Sequence, residues 1–184
     1  GLTLAQVAAL TTGQVAAMET QDVAALKTAQ IAALTTDQVQ SGLTTAQVAA
    51  LTTAQVGLGL TTAQVVALST AQIQSLTTSQ VAAISVANVA ALETQDVAAL
   101  KTSQIQALKT SQVAALTTDQ VATGLTTAQI AAIETRDLST LRTDQVAALT
   151  TQQVAVLSTA QIVVLGTGQV SVLTTDQLVA LTTA

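Results

Sequence analysis

Residues 109–116 read Lys109-Thr110-Ser111-Gln112-Val113-Ala114-Ala115-Leu116, and the unit they spell, x-Thr-x-Gln-Val-Ala-Ala-Leu, runs through the whole chain of 184 residues. Its Val/Ile/Leu position passes through Val7, Val15, Val23, Ile31 and Val39 and ends at Leu178, giving 22 repeats joined by eighteen steps of eight residues and three of nine. The residue before it is Gln, except at Asp22, Asp96, Asp137 and Asn88, and Thr stands two places earlier everywhere but Leu4 and Val86. Self-similarity at a fixed short period decides the architecture before any other signal is read.

A strand would need apolar residues with period two, whereas Val and Leu of each repeat stand three apart with small residues between. Advancing about 100° per residue, a helix gathers Val, Leu and Gln on one face and the variable positions on the other. One continuous helix is excluded, because eight residues rotate the apolar stripe by about 80° per repeat and no steady seam results. The chain therefore breaks once per repeat, and Thr supplies the break as an N-cap. The nearly invariant threonines Thr12, Thr20, Thr28, Thr36, Thr45, Thr53, Thr118 and Thr127 are the expected caps. Thr35 and its equivalents, one residue earlier, offer a capping box as the competing assignment. The nine-residue steps insert Gly42, Gly59 and Gly124 just before Leu, and the expectation there is a left-handed C-terminal exit.

Helices of about six residues do not persist alone. They persist when stacked, so the sequence predicts an all-α solenoid with one very short helix per repeat, residues 1–184 forming one continuous array and a segment of a longer one. Its core is carried by Val15, Val23, Leu26, Ile31, Leu34, Val39, Val113, Leu116 and their equivalents. Two helices per turn make the simplest closed cross-section, with three as the alternative. End repeats without a polar cap favour self-association, end to end or side by side.

Composition narrows the chemistry. The chain has no His, Cys, Pro or aromatic residue, is 8% charged and carries a net charge of −5. It therefore lacks the commonest general base, the thiol nucleophile and base-stacking rings. Five Lys and Arg make no phosphate-binding surface, and Thr and Gln interrupt every apolar stretch before it could span a bilayer. The expectation is a non-catalytic protein without cofactor, metal, small-molecule substrate, nucleic-acid partner or membrane insertion.

Three features still invite a chemical reading. The Gln/Asp column could bind a polar polymer, or it could bond backbone groups freed at each break. The carboxylates Glu19, Glu93 and Glu134 open the three repeats that hold Asp22, Asp96 and Asp137, and each next repeat opens with a base, Lys27, Lys101 or Arg142. That coupling predicts ion pairs between successive repeats rather than a catalytic dyad or cation site. Threonine rows suggest ice binding or surface adsorption, although Glu, Lys, Arg or Gly replaces the first Thr in many repeats. Gly57, Gly59, Gly166 and Gly168 have no accompanying Lys and are read as unit variation.

Leu34-Thr35-Thr36-Asp37-Gln38-Val39 and Leu149-Thr150-Thr151-Gln152-Gln153-Val154 resemble the LTTxQVxAL octapeptide arrays of very large bacterial secreted and surface proteins. The resemblance spans the entire chain and implies an extracellular or cell-surface setting. With it, the sequence predicts a structural role, as the shaft of a bacterial surface adhesin or the subunit of an extracellular filament. Ice binding through the Thr rows is the alternative, and a peptide- or glycan-binding solenoid ranks third.

Overall fold

The repeat of Val65 shows how the chain is built. Thr61 is extended (φ −75°, ψ 162°), the helix Thr62–Ala67 follows, and Leu68 is extended again (φ −61°, ψ 136°). Ser69, at φ −73° and ψ 156°, then opens the next helix, Thr70–Ser75. The corner between two helices is thus two consecutive residues in the polyproline II region, which any L-residue adopts without strain. The computed structural model describes residues 1–182, which form nineteen α-helices and three π-helical segments, with no strand among the described residues. The protein is an all-helical solenoid of tandem short helices.

The chain divides into two compact halves, Gly1–Leu92 and Glu93–Ala184. Within the first, Thr20–Ala25 packs on Thr45–Ala50 and Thr28–Ala32 packs on Gln55–Gly59. Within the second, Thr94–Ala99 packs on Gln120–Gly124 and Thr102–Gln106 on Thr127–Ala132. Stacked helices are three repeats apart, which corrects the expected two helices per turn. The turn is set by how far each pair of extended corner residues redirects the chain, and that redirection brings the path back over itself only after three to four repeats.

Both halves bury the same columns. Val15, Val23, Ile31, Val39 and Val113 are at most 1% exposed, and Leu34 and Leu116 are buried beside them. Leu26, in the first turn, is only half-buried. Each Val or Leu so covered stabilises by roughly 1.5–3 kcal/mol, so the helices depend on their stacked neighbours rather than on intrinsic propensity.

The Gly insertions do not exit through a left-handed residue, since no described residue has positive φ. Instead the helix widens by one residue: Leu43 N–H donates to the Gln38 carbonyl at 2.8 Å, Leu60 to Gln55 at 2.9 Å and Leu125 to Gln120 at 2.8 Å. These five-residue hydrogen bonds define a π-bulge. Glycine stands there for space. A Cβ on Gly42 would lie 3.1 Å from Val15 Cβ and 3.3 Å from Thr12 Cα, three repeats back.

Candidate functional site

The glutamine column is the most ordered polar feature of the fold. Gln64 shows its geometry: Oε1 accepts the Thr61 N–H at 2.8 Å, while Nε2 donates to the carbonyls of Ile31 at 2.8 Å and Leu34 at 2.6 Å. Thr61 Oγ1 in turn accepts the Gln64 N–H at 3.3 Å, completing a capping box. Gln47, Gln55 and Gln80 repeat the arrangement in the first half, and Gln129, Gln145 and Gln161 in the second. One side chain therefore satisfies an unpaired N–H at the start of its own helix and two carbonyls at the end of a helix one turn below. These are the groups a helix terminus leaves without partners. The column bonds backbone groups freed at each break, which was one of its two readings from sequence.

The capping residue is corrected by one position. The helices begin at Thr12, Thr20, Thr28, Thr45 and Thr127, with Thr11, Glu19, Lys27, Thr44 and Thr126 as the N-caps. Thr36, Thr53 and Thr118 likewise follow Thr35, Thr52 and Thr117, whose Oγ1 atoms accept from Gln38, Gln55 and Gln120. Glutamine decides the register, because its side chain folds back three residues to the N-cap amide. Where the cap is Lys27 or Gly166, Gln30 and Gln169 still accept that N–H, at 2.7 and 2.8 Å. The invariant Thr is the first helical residue. Its hydroxyl takes a role where Gln is absent: Thr62 donates to Asn88 Oδ1 at 2.9 Å and Thr110 to Asp137 Oδ1 at 2.7 Å.

The expected ion pairs between Glu19 and Lys27, Glu93 and Lys101, and Glu134 and Arg142 do not form. Residues eight apart lie on successive helices, whereas the helices that face each other are three repeats apart. Among the described residues, the ion pairs join Arg136 to Glu134 at 2.9 Å and to Asp137 at 3.6 Å, and Arg142 to Asp144 at 3.1 Å. Arg142 also donates to the Ala114 carbonyl. Its hydrogen bond holds the exposed Asp144 carboxyl below its ordinary range. In the other two acidic repeats, Gln21 and Gln95 donate to Glu19 and Glu93.

Asp96 differs from its neighbours in the column. It is 1% exposed, and its Oδ1 has no hydrogen-bond partner. Burial, reinforced by the charge of Glu93, pushes its carboxyl up to about 6, against the opposing effect of a backbone hydrogen bond at Glu93. Asp22, by contrast, is exposed. Among the described residues no group of three acidic side chains is placed to hold a metal ion, and no helix is long and apolar enough to cross a membrane.

Sequence reasoning passed over Gly57. A Cβ there would stand 2.5 Å from the Ala83 carbonyl oxygen, three repeats on, so this glycine marks a close backbone approach rather than mere variation. Nothing in its own repeat signals this, since other repeats carry Ala, Gln, Val or Ser at the position.

Helix-per-repeat construction, stacking at three repeats and an amide ladder between turns together define a tandem-repeat α-solenoid protein. The chain belongs to the ALTTAQ repeat family, whose model matches residues 15–53, 58–86, 89–127, 130–167 and 151–183. No curated protein matches the chain.

Proposed function

We propose that the chain is a non-catalytic structural array: the shaft of a bacterial surface adhesin or the subunit of an extracellular filament. One observation carries this reading. One column of polar side chains, the glutamines, is buried from Gln30 onward and bonded to backbone, so the chemistry it repeats serves to join one turn to the next. Much of the remaining surface is Thr, Ala and Gln, with charged side chains few and scattered, which suits a spacer held in water. The Thr-row alternative receives less support, because the first Thr of each pair is a helix cap whose hydroxyl already accepts a backbone N–H, and Lys27, Lys101, Lys109, Arg142 and Gly166 interrupt the row.

Immunogold electron microscopy of the producing cell tests the proposal, using antibody raised against the array. The expected label lies on surface projections that shorten when whole repeats are deleted. Label confined to the cell interior, or projections of unchanged length, would overturn it.

A further inference from the structure

Asp replaces the column glutamine in three repeats and Asn in one. Two of these shorter side chains keep their partners. Asn88 Nδ2 donates to the Leu60 carbonyl at 3.2 Å, and Asp137 Oδ1 accepts the Thr110 hydroxyl at 2.7 Å beside the Arg136 guanidinium. A third, Asp22, is exposed. Asp96 differs from all of them, being 1% exposed with Oδ1 bonded to nothing, while the carboxyl accepts the Glu93 N–H as a glutamine Oε1 would. The second polar atom of a glutamine is a donor. In an ionised Asp96 it is an acceptor with nothing to accept.

The charges around Asp96 do not neutralise it. Its own repeat adds Glu93, and the segment packed on Thr94–Ala99, Gln120–Gly124, follows Asp119. Lys101 opens the next repeat, yet Asp96 enters no ion pair among the described residues, and residues 38–92 carry no charged side chain at all. A buried carboxylate without partner or counter-ion is costly, whereas a protonated one regains a donor.

We propose that Asp96 is a proton-operated latch: protonated, it holds residues 93–100 closed, and ionised, it lets this one repeat open while the others stay folded. The opening is local because each repeat of a solenoid is stabilised by its neighbours alone, so exposing one repeat relieves the buried charge at the least expense of structure. Glu93, the N-cap, gives its helix no side-chain bond that would oppose this. Opening uncovers Val97 and Leu100, both buried in the closed form. Burial and Glu93 hold the Asp96 carboxyl up at about 6, above the ordinary 3.8, so the closed repeat keeps a proton that the open one releases. Closure is therefore favoured in acid, and opening grows as pH rises through 6. This device goes beyond the spacer proposal and does not depend on where the array resides.

Amide hydrogen exchange of the full chain tests it at Val97 and Leu100, whose N–H groups donate to the Glu93 and Val97 carbonyls at 3.0 and 3.2 Å. Once the intrinsic pH dependence of exchange is divided out, their protection is expected to fall about tenfold between pH 5 and pH 8. Val113 and Leu116, which make the same two bonds in their own repeat, are expected to keep theirs. Asp96→Asn and Asp96→Gln carry a donor and no titrating group, and in both the protection of residues 93–100 is expected to be flat with pH. Glu93→Gln leaves the carboxyl and removes the like charge, so the fall is expected to begin at lower pH. Constant protection at Val97 and Leu100 in the parent chain overturns the latch. So does an equal fall in the two Asp96 variants, or an equal fall at Val113 and Leu116, which would make the loosening general.

Discussion

At the scale of the residue, one primary amide per repeat does what a longer helix does with whole turns of backbone. Glutamine is the side chain that fits, being long enough to fold back to its own cap and able to accept at one atom and donate twice at the other. Gln64→Glu keeps the acceptor and sets a buried charge against the Ile31 and Leu34 carbonyls. The expected loss is about 3 kcal/mol or more in urea unfolding, against a few tenths for Gln6→Glu at the exposed first turn. Asn88 offers the reverse test. Its shorter side chain reaches one carbonyl, Leu60 at 3.2 Å, and its repeat has no capping box. Asn88→Gln is expected to raise stability by about 1 kcal/mol, the net worth of a typical added hydrogen bond. Asp96 brings pH into the fold. Its folded pKa of about 6 lies above the ordinary 3.8, so the folded state holds the proton more tightly than the unfolded one. The stability it contributes is complete below the ordinary value and is lost as pH rises through 6. The difference in unfolding free energy between the parent chain and Asp96→Asn is therefore expected to fall by about 2–3 kcal/mol between pH 4 and pH 7. A flat difference across that range would remove Asp96 as the source.

At the scale of the helix, the same substitution is expected to act in opposite directions at two glycines. Gly57→Ala places a methyl carbon 2.5 Å from the Ala83 carbonyl oxygen, and relieving that overlap should cost about 1–3 kcal/mol. Gly168→Ala meets nothing nearer than Thr143 Cγ2 at 3.9 Å and should gain up to about 1 kcal/mol by restricting the unfolded chain. Urea titration of the two variants checks both signs. The helices themselves were legible in the sequence, because an eight-residue period with Val and Leu three apart fits no strand and no unbroken helix. Their exact ends were not. Thr35-Thr36-Asp37-Gln38 admits a cap at either threonine, and only the reach of the Gln38 side chain, accepting from Thr35 N–H at 2.7 Å, selects the first. The Gly42 insertion was equally ambiguous, since a left-handed exit and a π-bulge each absorb one residue. The bulge prevails because Gly42 sits against the Thr12 backbone, a contact made by a distant part of the chain.

At the scale of the whole molecule, the fold keeps count of repeats rather than residues. Gln38 donates to the leucine carbonyl 28 residues before it, Gln129 to one 29 before, and Gln64 to one 30 before. No inserted glycine lies in the first interval, Gly124 lies in the second, and both Gly42 and Gly59 lie in the third. Each π-bulge absorbs its residue where it occurs, so these glutamines find the equivalent partner one turn back. The number of repeats per turn escaped the sequence reading for a related reason. Residue types at the corner say that the chain leaves the helix, whereas the angle resides in the dihedrals of the two extended residues, which Leu-Thr, Leu-Ser and Leu-Lys all adopt. The missing Glu19–Lys27 pair has the same origin, since a misjudged turn puts the wrong repeats face to face. This counting rule makes a prediction about deletions. Removing Gly124 restores an ordinary eight-residue repeat and leaves Gln153 its bonds to Val121 and Leu125, so the cost is expected to stay within about 1 kcal/mol. Removing Ala98 leaves seven residues to span a helix and its corner, with no bulge to give one back. Gln129, which bonds Val97, Ala98 and Leu100, then loses its register, and the expected cost exceeds about 3 kcal/mol. Chemical denaturation followed by circular dichroism compares the two, and equal losses would mean that the turns are matched by residue number after all.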